Sequence, residues 1–261
     1  MSEFSRQARR TALFDAEPPE AVLFDVDDTL VDFAGAARLA LLDVVREHLS
    51  DLPGGPDEGP SGLVGAADRA WDQVSETEYR RFTDGEVDFE QMRINRMAAF
   101  LRTIGRPGAD RLSHELLEDH RNSAIFGHFR VFDDVPACLD RLHRAGVTVR
   151  VLSNSDGAYQ RAKLTAVGLG DLGDSGFYSG ELGVAKPDPR IFRAAAEALG
   201  LPTDRITYVG DRWDVDVLGS AAAGMRPVWL NRTAQSRRPD SKDAAVPALE
   251  IGSLDELDIE P

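Results

Sequence analysis

Three aspartates follow directly on an apolar run near the start of the chain, in AVLFDVDDTL at residues 21–30. Residues 22–24 predict a short buried strand, so Asp25 and Asp27 fall where that strand ends and the chain turns. Like charges this close repel each other, so the two carboxylates either lie in water or hold a positive group between them. A solvated acidic turn is the ordinary interpretation, because aspartate is common in turns.

The second half of the chain favours an α/β fold. From about residue 131, helical stretches alternate with short apolar runs, a pattern typical of a parallel sheet with helices on both faces. The strand at 22–24 has no partner nearby in sequence and is expected to join this sheet. The predicted later strands are VTVRVLS at 147–153, GFYSG at 176–180, ITYVGD at 206–211 and PVWL at 227–230.

Polar side chains follow several of these strands. In an open parallel sheet, ligands bind beyond the carboxyl ends of the strands, where residues from distant parts of the chain meet. Singly, such residues are ordinary turn formers, helix caps or surface lysines. Together, carboxylates, a hydroxyl and an ammonium group at one edge suit Mg²⁺ with a phosphate, because Mg²⁺ takes oxygen ligands. The candidates are Asp25, Asp27, Ser153, Asn154, Asp211 and, in the stiff loop GVAKPDPRIF, Lys186.

Composition narrows the class of protein. The chain has 261 residues, 42% of them hydrophobic, and a net charge of −15, which argues against nucleic acid or an anionic membrane as its partner. It has no apolar run long enough to span a membrane and no signal-like start, so cytoplasmic residence is expected. The single cysteine, Cys138, is expected to be a core residue in a helix, and the lack of a cysteine pair or of histidines at ligand spacing disfavours zinc.

The segment between the first strand and the later sheet predicts helices only. We therefore expect residues 21–31 and 129–235 to form the core and residues 32–128 to be an all-helical insertion. Residues 1–20 are expected to be an extension, and 236–261 a tail with an edge strand and a last helical turn. Helices are predicted near 36–49, 66–82, 88–104 and 109–126, with PGGPDEGPSG at 53–62 as a connector.

Four ordered motifs resemble those of the haloacid dehalogenase superfamily of aspartate-nucleophile phosphotransferases. They are DVDDT, VLSN, GVAKPDP and VGDRWDVDVLGSAAAGM, and the similarity covers residues 21 to about 232. The resemblance implies a Rossmann-like, three-layer core with a parallel sheet and a helical cap inserted after the first motif. The earlier LFDAE, residues 13–17, mimics the first motif but has Glu17 where the second aspartate should stand.

The resemblance also implies a role for each matched residue. Asp25 would be the nucleophile and Asp27 the acid and base. Ser153, helped by a backbone amide near Asn154, would bind the phosphoryl group, and Lys186 would neutralise charge. Mg²⁺ would be held by Asp25, the carbonyl of Asp27 and Asp211. The remaining matched positions are Asp216, which would hold the lysine or a metal-bound water, and Thr29, which would fix the turn; Asp28 and Asp214 have the wrong spacing.

The expected activity is hydrolysis of a small phosphate ester. Dehalogenases lack an acidic residue two places after the nucleophile, so Asp27 favours phosphate chemistry. The segment YRRFTDGEVDFEQMRINRM is similar to the cap of pyrimidine nucleotidases and N-acylneuraminate phosphatases, where Arg96 would reach a substrate phosphate or acid. A nucleoside monophosphate or a sugar phosphate is therefore expected, with a monomer or a homodimer as the assembly. A phosphomutase and a non-catalytic binding protein are the alternatives.

Overall fold

The computed structural model describes residues 18–48, 63–83, 85–105, 111–233, 246 and 248–257. The chain divides into two compact units, Met1–Phe33 with Arg130–Pro261, and Ala34–Phe129. The LFDAE segment and the expected connector at 53–62 lie outside the described residues. The assignment of the second unit as a cap stays a prediction.

The first unit contains a parallel six-stranded sheet. Its strands are β1 (Ala21–Phe24), β2 (Thr148–Ser153), β3 (Phe177–Tyr178), β4 (Ile206–Gly210), β5 (Arg226–Leu230) and β6 (Leu249–Ile251). Their order in the sheet is β3-β2-β1-β4-β5-β6, with every neighbouring pair parallel. The predicted pairing of the first strand with the later sheet is confirmed, and so are the edge strand and the short helical turn of the tail.

Helices alternate with these strands, which confirms the predicted α/β class. Cys138 is buried in the helix Val135–Arg144, as expected, and Asp188 caps the helix Pro189–Leu199 by accepting a hydrogen bond from the backbone N–H of Arg190. Among the described helices, none combines the length and the apolar composition that a bilayer crossing requires. The helices of this unit are α5 (Val135–Arg144), α6 (Gly157–Ala166), α7 (Gly170–Asp174), α8 (Ser179–Leu182), α9 (Pro189–Leu199) and α10 (Leu218–Ala223).

One face of the sheet is covered by α9. Leu23, Leu152 and Tyr208 from the three central strands pack against Ile191 and Phe192 of that helix, and all five are buried. Pro189 and Asp188 start the helix, and the apolar residues at positions 191, 192, 195 and 196 recur at helical spacing. This packing holds the central strands in place and thereby the loops that follow them.

The strand register aligns the candidate residues at one edge. Phe24 pairs with Val151 on one side and with Val209 on the other. The residue after β1, the end of β2 and the residue after β4 therefore reach the same edge of the sheet. The parallel arrangement thus places Asp25, Ser153 and Asp211 together, as the sequence predicted.

The second unit is helical in its described residues. Its helices are α1 (Phe33–His48), which starts at the end of the first unit, α2 (Leu63–Thr83), α3 (Phe89–Thr103) and α4 (Arg111–His128). Trp71 of α2 and Phe100 of α3 pack edge to face, with ring centroids 5.4 Å apart, at the centre of its apolar cluster. The predicted helices match these four, with ends displaced by one to three residues.

Candidate active site

The ammonium group of Lys186 is the centre of a buried polar cluster at the edge of the sheet. Its Nζ donates hydrogen bonds to Asp25 Oδ1 at 2.6 Å, Asp216 Oδ1 at 2.7 Å and the hydroxyl of Tyr208 at 2.8 Å. The side chain of Lys186 is 3% exposed and that of Asp216 is 2% exposed. Burial lowers the pKa of an ammonium group, but the two carboxylates outweigh it and raise the pKa of Lys186 above its ordinary value. The lysine is therefore a fixed positive charge.

Three carboxylates share this region with a single lysine. One oxygen from each of Asp25, Asp211 and Asp216 can be chosen so that all three lie within 4.8 Å of one another. Burial, opposed by Lys186 and reinforced by Asp216, raises the pKa of Asp25 to about 7. Burial and the neighbouring Asp25 raise the pKa of Asp211 to about 8. Two buried carboxylates and the half-buried carboxylate of Asp211, beside one ammonium group, favour the addition of a cation or of protons.

The loop after β4 places Asp216 by close packing. An added Cβ at Gly210 would lie 2.4 Å from the carboxyl group of Asp216, so this position has no room for a larger residue. A single wide turn of π-helix follows at Trp213–Val217, and Asp216 accepts a hydrogen bond from the backbone N–H of Arg212 at 3.0 Å. The carbonyl of Asp211 accepts a bond from Trp229 Nε1 at 2.8 Å. The side chain of Asp216 is therefore held by the backbone of this loop, and the main chain at Asp211 is held by the side chain of Trp229 in β5.

The loop after β2 is tied to the lysine loop. The amide nitrogen of Asn154 donates to the carbonyl of Lys186 at 2.8 Å, and its amide oxygen accepts from the backbone N–H of Lys186 at 2.7 Å. The Asn154 side chain is thus used to position Lys186, and the expected substrate-binding role of Asn154, through a backbone amide near it, stays a prediction. The hydroxyl of Ser153 accepts a bond from Gln160 Nε2 at 3.1 Å. Because that bond uses an oxygen lone pair, the Ser153 proton is left for another acceptor.

Asp27 is bound by a lysine that the sequence analysis did not select. Lys163 Nζ donates to Asp27 Oδ1 at 2.6 Å, and the lysine side chain is fully buried. Its ammonium group also lies 4.7 Å from the centre of the Phe33 ring and 5.0 Å from that of Tyr159. The carboxylate of Asp27 is 35% exposed, so one oxygen is held while the group keeps access to solvent.

Thr29 lies inside the turn after the aspartates. Its residue is fully buried, and its hydroxyl has no hydrogen-bond partner among the described protein atoms. Its carbonyl accepts a bond from Arg232 at 2.8 Å, and Arg232 also forms a fork with both carboxylate oxygens of Asp134. The bond from Arg232, near the end of the chain, therefore fixes the turn at Thr29. A direct contact of Thr29 with substrate stays a prediction.

Arg96 belongs to the helical unit, where it forms an ion pair with buried Glu118. Glu118 also accepts two bonds from Arg121, at 2.8 and 3.0 Å, and both guanidinium groups lie over the ring of Trp71. The arginines keep the pKa of Glu118 below its ordinary value although burial opposes them. These contacts account for Arg96 within its own unit, and its role towards a substrate stays a prediction.

Three further residues of the cluster could have been found from the sequence. Tyr208 is a polar residue inside the apolar run ITYVG, and a buried tyrosine hydroxyl needs a partner. Gln160 and Lys163 stand three residues apart on the helix that follows VLSN, so they share a face. The partners themselves, 22 and 136 residues away in sequence, could not be read from these patterns.

A family model described as haloacid dehalogenase-like hydrolase matches residues 19–224, a span that contains every residue of this cluster except Trp229 and Arg232. The chain belongs to the haloacid dehalogenase-like hydrolases. Membership makes it an enzyme, and the predicted recognition and fold class are confirmed.

This hydrolase is similar to several characterised relatives. It is 28% identical to the N-acylneuraminate-9-phosphatase of Mus musculus over 238 residues, which is 91% of each chain. It is 35% identical over 153 residues to the phosphoserine phosphatase of Thermus thermophilus, and this match spans only 58% of that protein. Among solved structures, the magnesium-bound hydrolase YfnB of Bacillus subtilis superposes with a TM-score of 0.73 at 22% identity, covering 92% of this chain and 97% of that one. At this identity, the similarity to YfnB shows only that the two chains share a fold.

Proposed function

We propose that this hydrolase is a Mg²⁺-dependent phosphomonoesterase that acts on a small phosphorylated metabolite. The proposal rests mainly on the buried contact between Lys186 and Asp25. The carboxylate of Asp211 lies beside this contact, and Asp27 follows Asp25 by two residues in the sequence. A buried carboxylate becomes a competent nucleophile towards a phosphate once positive groups offset the charge of both. The similarity to phosphatases supports the same chemistry.

The residues supply the two steps of a phosphoryl transfer. Asp25 attacks phosphorus, the bond to the ester oxygen breaks, and Asp27 gives that oxygen its proton. Asp27 then takes a proton from a water molecule that attacks the aspartyl-phosphate, which releases inorganic phosphate and restores Asp25. Ser153, whose hydroxyl already accepts a bond from Gln160, donates its proton to the transferred group. Lys186 stabilises the charge that develops on the phosphoryl oxygens.

The carboxylate cluster fits a magnesium ion. Carboxylates and carbonyls are the ligands that Mg²⁺ prefers, and three carboxylates with a single lysine leave an excess of negative charge in a buried place. Asp25, Asp211 and the backbone carbonyl of Asp27 would hold the ion, while Asp216 holds Lys186. When bound, the ion would draw charge from the phosphate oxygens and orient the ester.

Magnesium should stabilise the folded protein more at alkaline pH. Because the pKa values of Asp25 and Asp211 are raised to about 7 and 8, both groups hold protons near neutrality, whereas they lose them near pH 4 in the unfolded chain. The metal-free protein therefore loses stability as the pH rises from about 4 to about 8, and the loss levels off above the folded-state pKa values. Mg²⁺ competes with these protons. As the pH is lowered below these pKa values, the apparent affinity for Mg²⁺ should therefore fall about tenfold per pH unit for each proton that the ion displaces.

Thermal unfolding measures this effect without any assay of activity. At pH 8.5, Mg²⁺ at a hundredfold excess over its dissociation constant should contribute about 2.7 kcal/mol. For a chain of this size, this corresponds to a rise of about 5–10 °C in Tm. The same Mg²⁺ concentration should change Tm little at pH 6. Asp211→Asn should abolish the rise, whereas Asp214→Asn, on the exposed side of the same loop, should keep it. A rise that survives Asp211→Asn would place the ion elsewhere.

Lys163 should matter most for esters with poor leaving groups. Its bond to Asp27 fixes the acid that protonates the departing oxygen, a step that an alkyl ester needs and that p-nitrophenyl phosphate hardly needs. Lys163→Met should therefore lower kcat for an alkyl phosphate about tenfold more than kcat for the aryl ester, since general acid catalysis contributes about 10²–10⁴-fold. Lys163→Arg should restore part of the difference. Equal losses for both esters would show that Lys163 serves the fold only.

A phosphate-release screen with Mg²⁺ tests the proposed activity. It should include nucleotides, sugar phosphates and short acid phosphates, and one class should stand out, with nucleoside monophosphates and sugar phosphates expected. A phosphomutase would instead convert a hexose 1-phosphate to an isomer with little free phosphate, since it protects its phosphoenzyme from water. Absence of phosphate release from the whole panel would favour the non-catalytic binding protein.

A further inference from the structure

The helical unit carries a cluster of potential metal ligands that the proposed reaction does not use. His48 at the end of α1 and His120 on α4 are in contact, with His48 Nε2 2.7 Å from His120 Nδ1 and the two rings edge to face at 4.9 Å. Glu47 Oε2 lies 3.5 Å from Nε2 of the same His120. One ligand atom from each of the three residues lies within 4.8 Å of the others.

Two helices bring these side chains together. Further along the same pair of helices, His128 of α4 lies 2.5 Å from the carboxylate of Asp43 of α1. Because position 43 meets 128 and position 48 meets 120, the helices run antiparallel and are joined at two points. The relative placement of His48 and His120 is therefore set by helix packing.

The donor set suits a borderline transition metal ion. Two imidazole nitrogens and one carboxylate oxygen are a common zinc ligand set, with a water molecule in the fourth position. His48 is the last residue of α1, and the carbonyl groups at a helix C-terminus carry partial negative charge that favours a cation. The carboxylate of Glu47 is 62% exposed and the ring of His120 is 31% exposed, so an ion can enter and the side chains can adjust.

We propose that Glu47, His48 and His120 form a second metal site, for Zn²⁺ or a similar divalent transition ion, which joins the end of α1 to α4. Zn–N bonds of about 2.0–2.1 Å would hold the two nitrogens further apart than they are now. Small rotations of the two rings provide that change, and the hydrogen atom between them moves to the other nitrogen of its own ring, so that each imidazole binds the ion in its neutral form. The site is separate in its residues and its ligand chemistry from the all-oxygen carboxylate cluster.

The site was missed in the sequence because its ligands are not at a regular spacing. Glu47 and His48 are 72 or more residues from His120, and only the antiparallel packing of α1 and α4 unites them. Local histidine and cysteine spacing tests only sites whose ligands come from one segment, and this site takes its ligands from two helices.

Calorimetric titration of the untagged protein with Zn²⁺ tests the proposal. Millimolar Mg²⁺ should be present throughout, so that the carboxylate cluster is occupied by the ion it prefers. We expect one Zn²⁺ to bind per chain, and His120→Gln and His48→Gln to weaken binding at least about tenfold, the scale of losses at metal sites. His143→Gln, an exposed histidine of the first unit, is the matched control and should bind as the wild type does.

A second measurement identifies the ligands. Co²⁺ in place of Zn²⁺ should give visible absorption bands of nitrogen-ligated cobalt in the wild type and in His143→Gln, and these bands should be lost in His48→Gln. Circular dichroism separates loss of the site from loss of the fold, and exposed Glu47→Gln supplies a variant that should fold normally. No Zn²⁺ binding beyond the Mg²⁺-occupied cluster, or equal binding by wild type and the two site histidine variants, would overturn the proposal.

Discussion

Asp25→Asn should reduce hydrolysis of p-nitrophenyl phosphate by at least about 10³-fold, because residues that carry the covalent step lose several orders of magnitude when replaced. The amide has the shape of the carboxylate but cannot attack phosphorus. The protein should still fold, because burial raises the pKa of Asp25 to about 7, which means that the folded site disfavours the charge that the amide removes. Lys186 keeps its bonds to Asp216 and Tyr208 in this variant.

The control for this variant is Asp214→Asn. Asp214 is an exposed aspartate of the same loop as Asp211 and pairs with Arg212. It should leave both the rate and the Tm close to those of the wild type. A purified, folded Asp25→Asn protein that hydrolyses the ester at the wild-type rate would refute the assignment of Asp25 as the nucleophile.

Lys186→Met should cause both a loss of rate and a loss of stability. Removing the ammonium group leaves Asp25 and Asp216 buried without their cation, and breaking a buried pair in this way costs about 3–5 kcal/mol. The rate should fall about 10²–10³-fold, as for the removal of other preorganised charge-stabilising groups. Urea unfolding and the initial rate of phosphate release measure the two effects separately.

A double variant separates the two roles of Lys186. In Lys186→Met with Asp216→Asn, one of the stranded carboxylates is neutral, so part of the lost stability should return while the rate stays low. Lowering the pH should also restore stability to Lys186→Met, because the stranded carboxyl groups then take up protons. A Lys186→Met protein as stable and as active as the wild type would refute both proposed roles of Lys186, in catalysis and in stability.

Two features could be predicted from the sequence: the class of fold, and the edge of the sheet at which the polar groups meet. Apolar runs of the right length predicted the strands, and the end of each strand indicated which side chains would meet. Asp25, Asp211, Asp216 and Lys186 do lie together, and the helices of the second unit were found to within three residues at each end.

The partners of these groups could not be predicted in the same way. Lys163 on Asp27 and Arg232 on the turn at Thr29 are contacts between residues more than a hundred positions apart. A lysine in a helical sequence is normally expected at the surface, in contact with water, and only the fold shows that Lys163 is fully buried. The sequence predicted a phosphate contact from a backbone amide near Asn154, which stays a prediction, but it gave no sign that the Asn154 side chain binds the backbone of Lys186.

Trapping the covalent intermediate tests the central claim most directly. The protein is mixed with substrate and Mg²⁺, quenched in acid within the first turnover, treated with borohydride and digested for mass spectrometry. We expect homoserine in place of Asp25 in the digested peptide, because the reductant cleaves the acyl phosphate, releases inorganic phosphate and leaves the reduced side chain. Rapid phosphate release with no homoserine at position 25, or with homoserine at a different aspartate, would contradict the assignment.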